Sequence, residues 1–321
     1  MIEARGLART FRTSAGDVEA VRGVDFDVGE GEIVGFLGPN GAGKTTTQQM
    51  LATLLAPTRG EATVAGCDLR RDPIGVRRRI GYVAQRGSTN PAATVREELE
   101  LQAELYGISR RDAERRVAEL SAELELTGME DKRTAALSGG QRRRLDIALG
   151  LAHSPRLVFL DEPSTGLDPQ SRANLWRHIR ALRDRTKTSV FLTTHYLEEA
   201  DALADRILIV DHGRIVAEGT SDELKRRISG DLVTLTVDGG AGRAKELVER
   251  EPGVRDVVLQ NADTVRVTVG RGEERGPSLL RALEAAGIRV QSLAISRPSL
   301  DDVFLALTGR SLRDGDGARS L

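Results

Sequence analysis

Apolar residues in this chain fall into distinct patterns. The runs Ile33 to Leu37, Leu157 to Leu160 and Ser189 to Thr194 are nearly unbroken and too short for helices. That is the signature of parallel strands buried on both faces. Met50, Leu51, Leu54 and Leu55 form a helical stripe that Pro57 and Gly60 end. Between Thr94 and Leu126, Val95, Leu99, Leu101, Leu105, Val117, Leu120 and Leu124 recur at helical steps, predicting a charged amphipathic insert. The first 85 or so residues read as short strands and turns, an antiparallel β layer. Beyond 231 the elements predicted are strand (Leu232 to Val237), helix (Arg243 to Arg250), strands (Val254 to Gln260, Thr264 to Val269), helix (Pro277 to Ala286) and strand (Ile288 to Ile295). That order, β-α-β-β-α-β, is ferredoxin-like. No run approaches the ~20 apolar residues of a membrane helix, and no signal-peptide pattern is present. The chain is not expected to cross a membrane by itself.

Candidate chemistry begins after the first buried strand. Gly38-Pro39-Asn40-Gly41-Ala42-Gly43-Lys44-Thr45-Thr46 fits the phosphate-loop pattern G-x-x-x-x-G-K-[ST], and it lies between a strand and a helix. Glycines let backbone N–H groups approach phosphate oxygens at a helix N-terminus. Lys44 then reaches the β- and γ-phosphates, and the Thr45 hydroxyl can ligate magnesium.

The apolar run Leu157 to Leu160 ends in Asp161-Glu162. Ligands of open α/β sheets lie at the carboxyl ends of such strands. Asp161 is expected to hold magnesium and Glu162 to orient or deprotonate the attacking water. Upstream, Ser138-Gly139-Gly140-Gln141 precedes a helical run, with Ser138 as N-cap, and forms a second candidate anion site.

With these motifs in this order, the chain resembles ATP-binding-cassette (ABC) ATPases over roughly residues 1 to 225. The string Leu137 to Gln141 resembles the family's signature. Gln85 resembles the glutamine that joins the metal site to a membrane partner. Ser164 to Asp168 resembles the loop facing a second subunit, and His195 the switch histidine at the γ-phosphate. Phe11 sits where the family places an aromatic residue against adenine, although tyrosine is more frequent there. The resemblance implies a P-loop ABC cassette with an antiparallel β layer and a helical insert at about 90–150. It further implies ATP and Mg2+, with Thr45, Gln85 and Asp161 around the metal. It also implies a homodimer or paired cassette sharing its ATP sites.

The segment 226–309 closes on Pro298-Ser299-Leu300-Asp301-Asp302-Val303-Phe304-Leu305. This ending resembles the C-terminal domain of daunorubicin-resistance ABC ATPases, whose partner is a separate multispanning permease. The reading is therefore the motor of a drug exporter, peripheral on the cytoplasmic side of the cell membrane. Two alternatives stay open: an exporter ATPase for lipid or polysaccharide, and a soluble ABC ATPase acting on DNA or ribosomes.

Composition narrows this further. A net charge of −1 gives no electrostatic footprint for nucleic acid. The single cysteine, Cys67, excludes a disulfide framework. His153, His178 and His212 read as structural or solvated. Arg77 to Arg79 and Arg142 to Arg144 read as solvated faces, and 310–321 as a disordered tail.

Overall fold

The computed structural model describes residues 1–14, 16–87, 89–227, 230–296 and 298–309. The expected tail at 310–321 lies outside the described residues. Two compact units form, Met1–Ser221 and, from Asp222 on, a C-terminal unit. The division falls at the start of a helix, Ser221–Arg227, where the sequence reading placed it four residues later.

In the first unit the elements run β1 (Ile2–Thr13), β2 (Gly16–Val28), β3 (Ile33–Leu37), α1 (Lys44–Leu51), β4 (Arg59–Val64), β5 (Cys67–Asp68), α2 (Pro73–Arg79) and β6 (Ile80–Val83). The insert follows as α3 (Val95–Leu105), α4 (Arg110–Glu123) and α5 (Gly139–Leu151). Then come β7 (Leu157–Asp161), α6 (Pro169–Thr186), β8 (Ser189–Thr194), α7 (Leu197–Leu203), β9 (Arg206–Asp211) and β10 (Arg214–Gly219). The expected short strands near the N-terminus are in fact long: β1 and β2 have 12 and 13 residues and pair antiparallel throughout, bent by register shifts.

Two sheets build this unit. One is antiparallel, ordered β2-β1-β4-β5; the other is ordered β10-β9-β3-β8-β7-β6, parallel except at β10. Every residue of β3, β7 and β8 is buried. Alternation splits them between two cores. Phe36, Phe159 and Phe191 face the antiparallel sheet, where Phe26 stacks on Phe191 with ring centroids 5.8 Å apart. Val158, Leu160, Val190 and Leu192 face the helices, against Leu145, Leu175 and Ile179.

The C-terminal unit carries α8 (Ser221–Arg227), β11 (Asp231–Val237), α9 (Ala241–Val248), β12 (Val254–Leu259), β13 (Thr264–Val269), α10 (Gly272–Ala285), β14 (Val290–Ser296) and α11 (Leu300–Thr308). Its sheet is antiparallel in the order β12-β13-β11-β14. Val233, Leu235, Val265 and Val267 pack against Ala244, Val248, Leu279 and Leu283 of α9 and α10. Helix α10 begins five residues before Pro277, where the sequence pattern starts it. The added turn docks tightly: Gly272 N donates to Asp231 Oδ2 at 2.7 Å, and a Cβ on Gly272 would lie 2.6 Å from Ile295.

Candidate nucleotide site

Four neighbouring strands, β3-β8-β7-β6, end side by side, and each delivers one predicted element at its carboxyl end. The phosphate loop follows β3, Thr194-His195 closes β8, Asp161-Glu162 closes β7 and Gln85 follows β6.

The loop's glycines are dictated by space. A Cβ on Gly38 would sit 2.2 Å from Val210 O, and one on Gly43 would sit 2.4 Å from Ala20 O. Gly43 caps α1 at φ 97°, in the left-handed region. Lys44 is buried and folds back over the loop, donating to Gly38 O at 2.8 Å and Pro39 O at 3.1 Å. Thr45 Oγ1 donates to Asp161 Oδ1 at 3.0 Å, and Thr193 Oγ1 donates to the same oxygen at 2.6 Å.

Glu162 is the hub. Its carboxylate, 7% exposed, lies 3.3 Å from Lys44 Nζ, and Oε2 accepts from Gln85 Nε2 at 2.8 Å and Thr165 Oγ1 at 3.3 Å. His195 Nδ1 stands 3.2 Å from Oε1, at ion-pair distance but outside hydrogen-bond geometry. Burial opposes ionisation of Glu162, but His195 and the Lys44 ammonium outweigh it and hold the carboxyl down to about 2. The backbone is left-handed here, φ 43°, on a residue that is not glycine. Such strain persists only where surroundings over-determine it, and it concentrates at functional sites.

The signature sits at the start of α5. Ser138 Oγ accepts from Gln141 N at 3.2 Å and Gln141 Oε1 accepts from Ser138 N at 2.9 Å, a reciprocal cap. Ser138 and Gly139 are exposed, and a Cβ on Gly139 would meet nothing within 4 Å, whereas one on Gly140 would lie 3.1 Å from Ser171 Oγ. Phe11 is half-buried on β1 with the Arg9 guanidinium 4.7 Å above its ring.

One sequence reading is corrected. Arg143 is not on a solvated face: it is buried, and all of its hydrogen bonds go to carbonyls at the ends of β6 and β7. Its spacing carried the signal, since Arg143, Ile147 and Leu151 share the buried face of α5. Sequence reasoning also passed over Thr193 and Thr165, whose hydroxyls hold the two acids, and Glu199, which is fully buried with Oε1 accepting from Trp176 Nε1 at 3.0 Å.

A phosphate loop, an Asp-Glu strand end, a glutamine loop and a capped Ser-Gly-Gly helix on one parallel sheet define an ATPase of the cassette type. The family profile "ABC transporter" matches residues 21–165, and "ATP-binding protein DrrA1-3-like, C-terminal domain" matches 219–308. The daunorubicin/doxorubicin resistance ATP-binding protein DrrA of Streptomyces peucetius is 42% identical over 98% of this chain and 94% of its own length. The Nod factor export ATP-binding protein I of a Rhizobium is 37% identical over 97% and 98%. A dimeric post-hydrolysis structure of the cassette MJ0796, bound to ADP and Pi, aligns with TM-score 0.63 and 26% identity over 68% of this chain and 98% of that one. The chain belongs to the ABC transporter ATP-binding proteins, with a DrrA-type C-terminal domain. It is an ATP-binding ATPase.

Proposed function

We propose that Glu162 acts on the attacking water in this ATPase, and that the chain works in pairs as the motor subunit of a drug exporter. The observation that carries this reading is the placement of Glu162: a buried, ionised carboxylate in strained backbone, between Lys44, Gln85 and His195. Glu162 orients or deprotonates water, and Lys44 and His195, which both approach Glu162 Oε1, meet the γ-phosphate.

Magnesium suits the residues present. Thr45 Oγ1 and Asp161 Oδ1 are adjacent hard oxygens, and the Gln85 amide meets the next residue, Glu162. Among the described residues no group of three or more His, Cys, Asp or Glu could hold a metal. Magnesium is a hard cation that keeps water and substrate phosphates among its ligands, so two adjacent protein oxygens suit it. Once bound it would neutralise charge developing on the phosphates. Contact of Phe11 with adenine belongs to the same proposal.

Pairing is supported by the open end of α5. Ser138, Gly139 and Gly140 of one copy would close on the nucleotide held by Lys44 of the other, as the dimeric neighbour suggests. A partner is supported by an apolar strip on the surface: Ile74, Leu101, Leu105 and Tyr106 are 58%, 56%, 72% and 40% exposed. Ile74, Leu105 and Tyr106 also line a cavity of about 580 Å³ with His153. Clustered exposed apolar side chains mark interaction surfaces. Among the described residues no helix is long and apolar enough to cross a membrane. The family resemblance supports a separate multispanning permease as partner, with this chain peripheral on the cytoplasmic side.

The 42% identity to a daunorubicin/doxorubicin resistance protein favours a drug as cargo, and the 37% identity to a Nod factor export protein keeps a lipid or polysaccharide as the second reading. Deleting the gene should raise cellular daunorubicin accumulation, restored by wild type but not by Glu162→Gln. Unchanged accumulation in the deletion strain overturns the drug reading.

A further inference from the structure

One guanidinium lies behind the contact between Gln85 and Glu162. Arg143 reaches from α5 with its side chain 8% exposed. Its Nη1 donates to Ala84 O at 2.6 Å, Nη2 to Asp161 O at 3.0 Å and Nε to Pro163 O at 2.8 Å. Ala84 immediately precedes Gln85, while Asp161 and Pro163 flank Glu162. The two residues whose side chains meet at 2.8 Å are thus held, through adjoining backbone, by a single planar group.

We propose that Arg143 is a positioning residue that couples the signature helix to the Gln85–Glu162 contact, so that seating of α5 on a nucleotide sets the geometry for turnover. This rests on the roles assigned above to Glu162, Gln85 and the start of α5. A rigid fork suits the task because it fixes the relative orientation of two chain segments, which the single point of an ammonium cannot. The nearest carboxylate supports the fork without competing for it: Asp146 Oδ2 is 3.8 Å from Nη1. Asp146 also abuts the glutamine loop, since a Cβ on Gly87 would lie 2.7 Å from its oxygens. Ser138 and Arg143 share one rigid helix, so a nucleotide meeting the first displaces the carbonyls held by the second. Occupancy of one site would thereby reach the hydrolytic residues of the other.

The test uses the full chain with magnesium and ATP. Arg143→Gln should lower kcat by about 10–100-fold, the penalty of small misplacement, with the Kd for a fluorescent ATP analogue within about twofold. Arg143→Lys should fall between the two. Because both residues act through one contact, Gln85→Ala combined with Arg143→Gln should be no slower than the slower single variant. Wild-type kcat in Arg143→Gln, losses that multiply in the double variant, or equal losses of kcat, Kd and melting temperature overturn the proposal. If Arg143→Gln does not fold, Arg143→Lys is read in the same way. Glu162→Gln separates the two levels: normal turnover there removes the site reading beneath, whereas an inactive Glu162→Gln beside a normal Arg143→Gln removes this proposal alone.

Discussion

Gln85 Nε2 and Glu162 Oε2 meet at 2.8 Å across 77 residues of sequence. The contact joins the loop that starts the helical insert to the strand end that carries the acid. On the roles proposed above, displacement of the insert by a partner would reach the Glu162 carboxylate through this contact, a physical route between membrane work and ATP turnover.

The phosphate loop makes a sharp stability prediction. Gly43→Ala adds a Cβ 2.4 Å from Ala20 O at φ 97°, whereas Gly41→Ala adds one at φ 82° with nothing within 4 Å. The first combines strain with overlap and should cost about 2–4 kcal/mol; the second carries strain alone, about 1 kcal/mol. Thermal unfolding should rank them in that order, with nucleotide binding lost in Gly43→Ala. Equal melting temperatures would contradict the geometry.

Phe11 is expected to stack on the base, its ring already carrying the Arg9 guanidinium. Stacking contributes ~1–3 kcal/mol and is indifferent to base identity, so Phe11→Ala should weaken ATP and GTP together by about tenfold. Phe11→Tyr should be nearly neutral. Unchanged affinity of Phe11→Ala for a fluorescent nucleotide would assign the base to another residue.

Glu199 predicts a pH dependence. Burial raises its pKa above the ordinary 4.5, against the pull of the Thr194 and Ser164 hydroxyls. The folded chain therefore keeps a proton that the unfolded chain releases from pH 4.5 upward. Stability from this group is full below that value and falls as pH rises through the raised pKa. Glu199→Gln does not titrate, so its melting temperature relative to wild type should climb as pH rises from 4.5 toward neutrality. A constant difference across that range would show that the buried carboxyl is not protonated.

Much of this was legible in the sequence, and the failures have a common cause. The strands β3, β7 and β8 announced themselves because burial on both faces leaves unbroken apolar runs, and the motifs at their ends followed. Arg143 was misread because charge in a triplet argues for solvent; its spacing with Ile147 and Leu151 signalled burial, but its partners are backbone carbonyls, which leave no mark in the sequence. Glu199 hid in the same way beside Ala200 and ahead of Leu203 on a short helix. The early start of α10 was lost because glycines at 272 and 276 lower helix propensity, yet close packing on Ile295 requires them.

Shared sites predict complementation. Lys44→Ala and Ser138→Arg should each be inactive alone. In an equal mixture about half the dimers are mixed, with one doubly defective site and one intact site. ATPase activity should return on mixing. Its absence, with mixed dimers shown to form, would contradict sharing.

The most direct test of the account is steady-state and single-turnover ATP hydrolysis by Glu162→Gln. A positioned base contributes ~10²–10⁴-fold, so the variant should bind ATP as wild type does while its turnover falls by at least about a hundredfold. Hydrolysis within a few-fold of wild type would contradict the assignment of Glu162, and with it the mechanism built on that site.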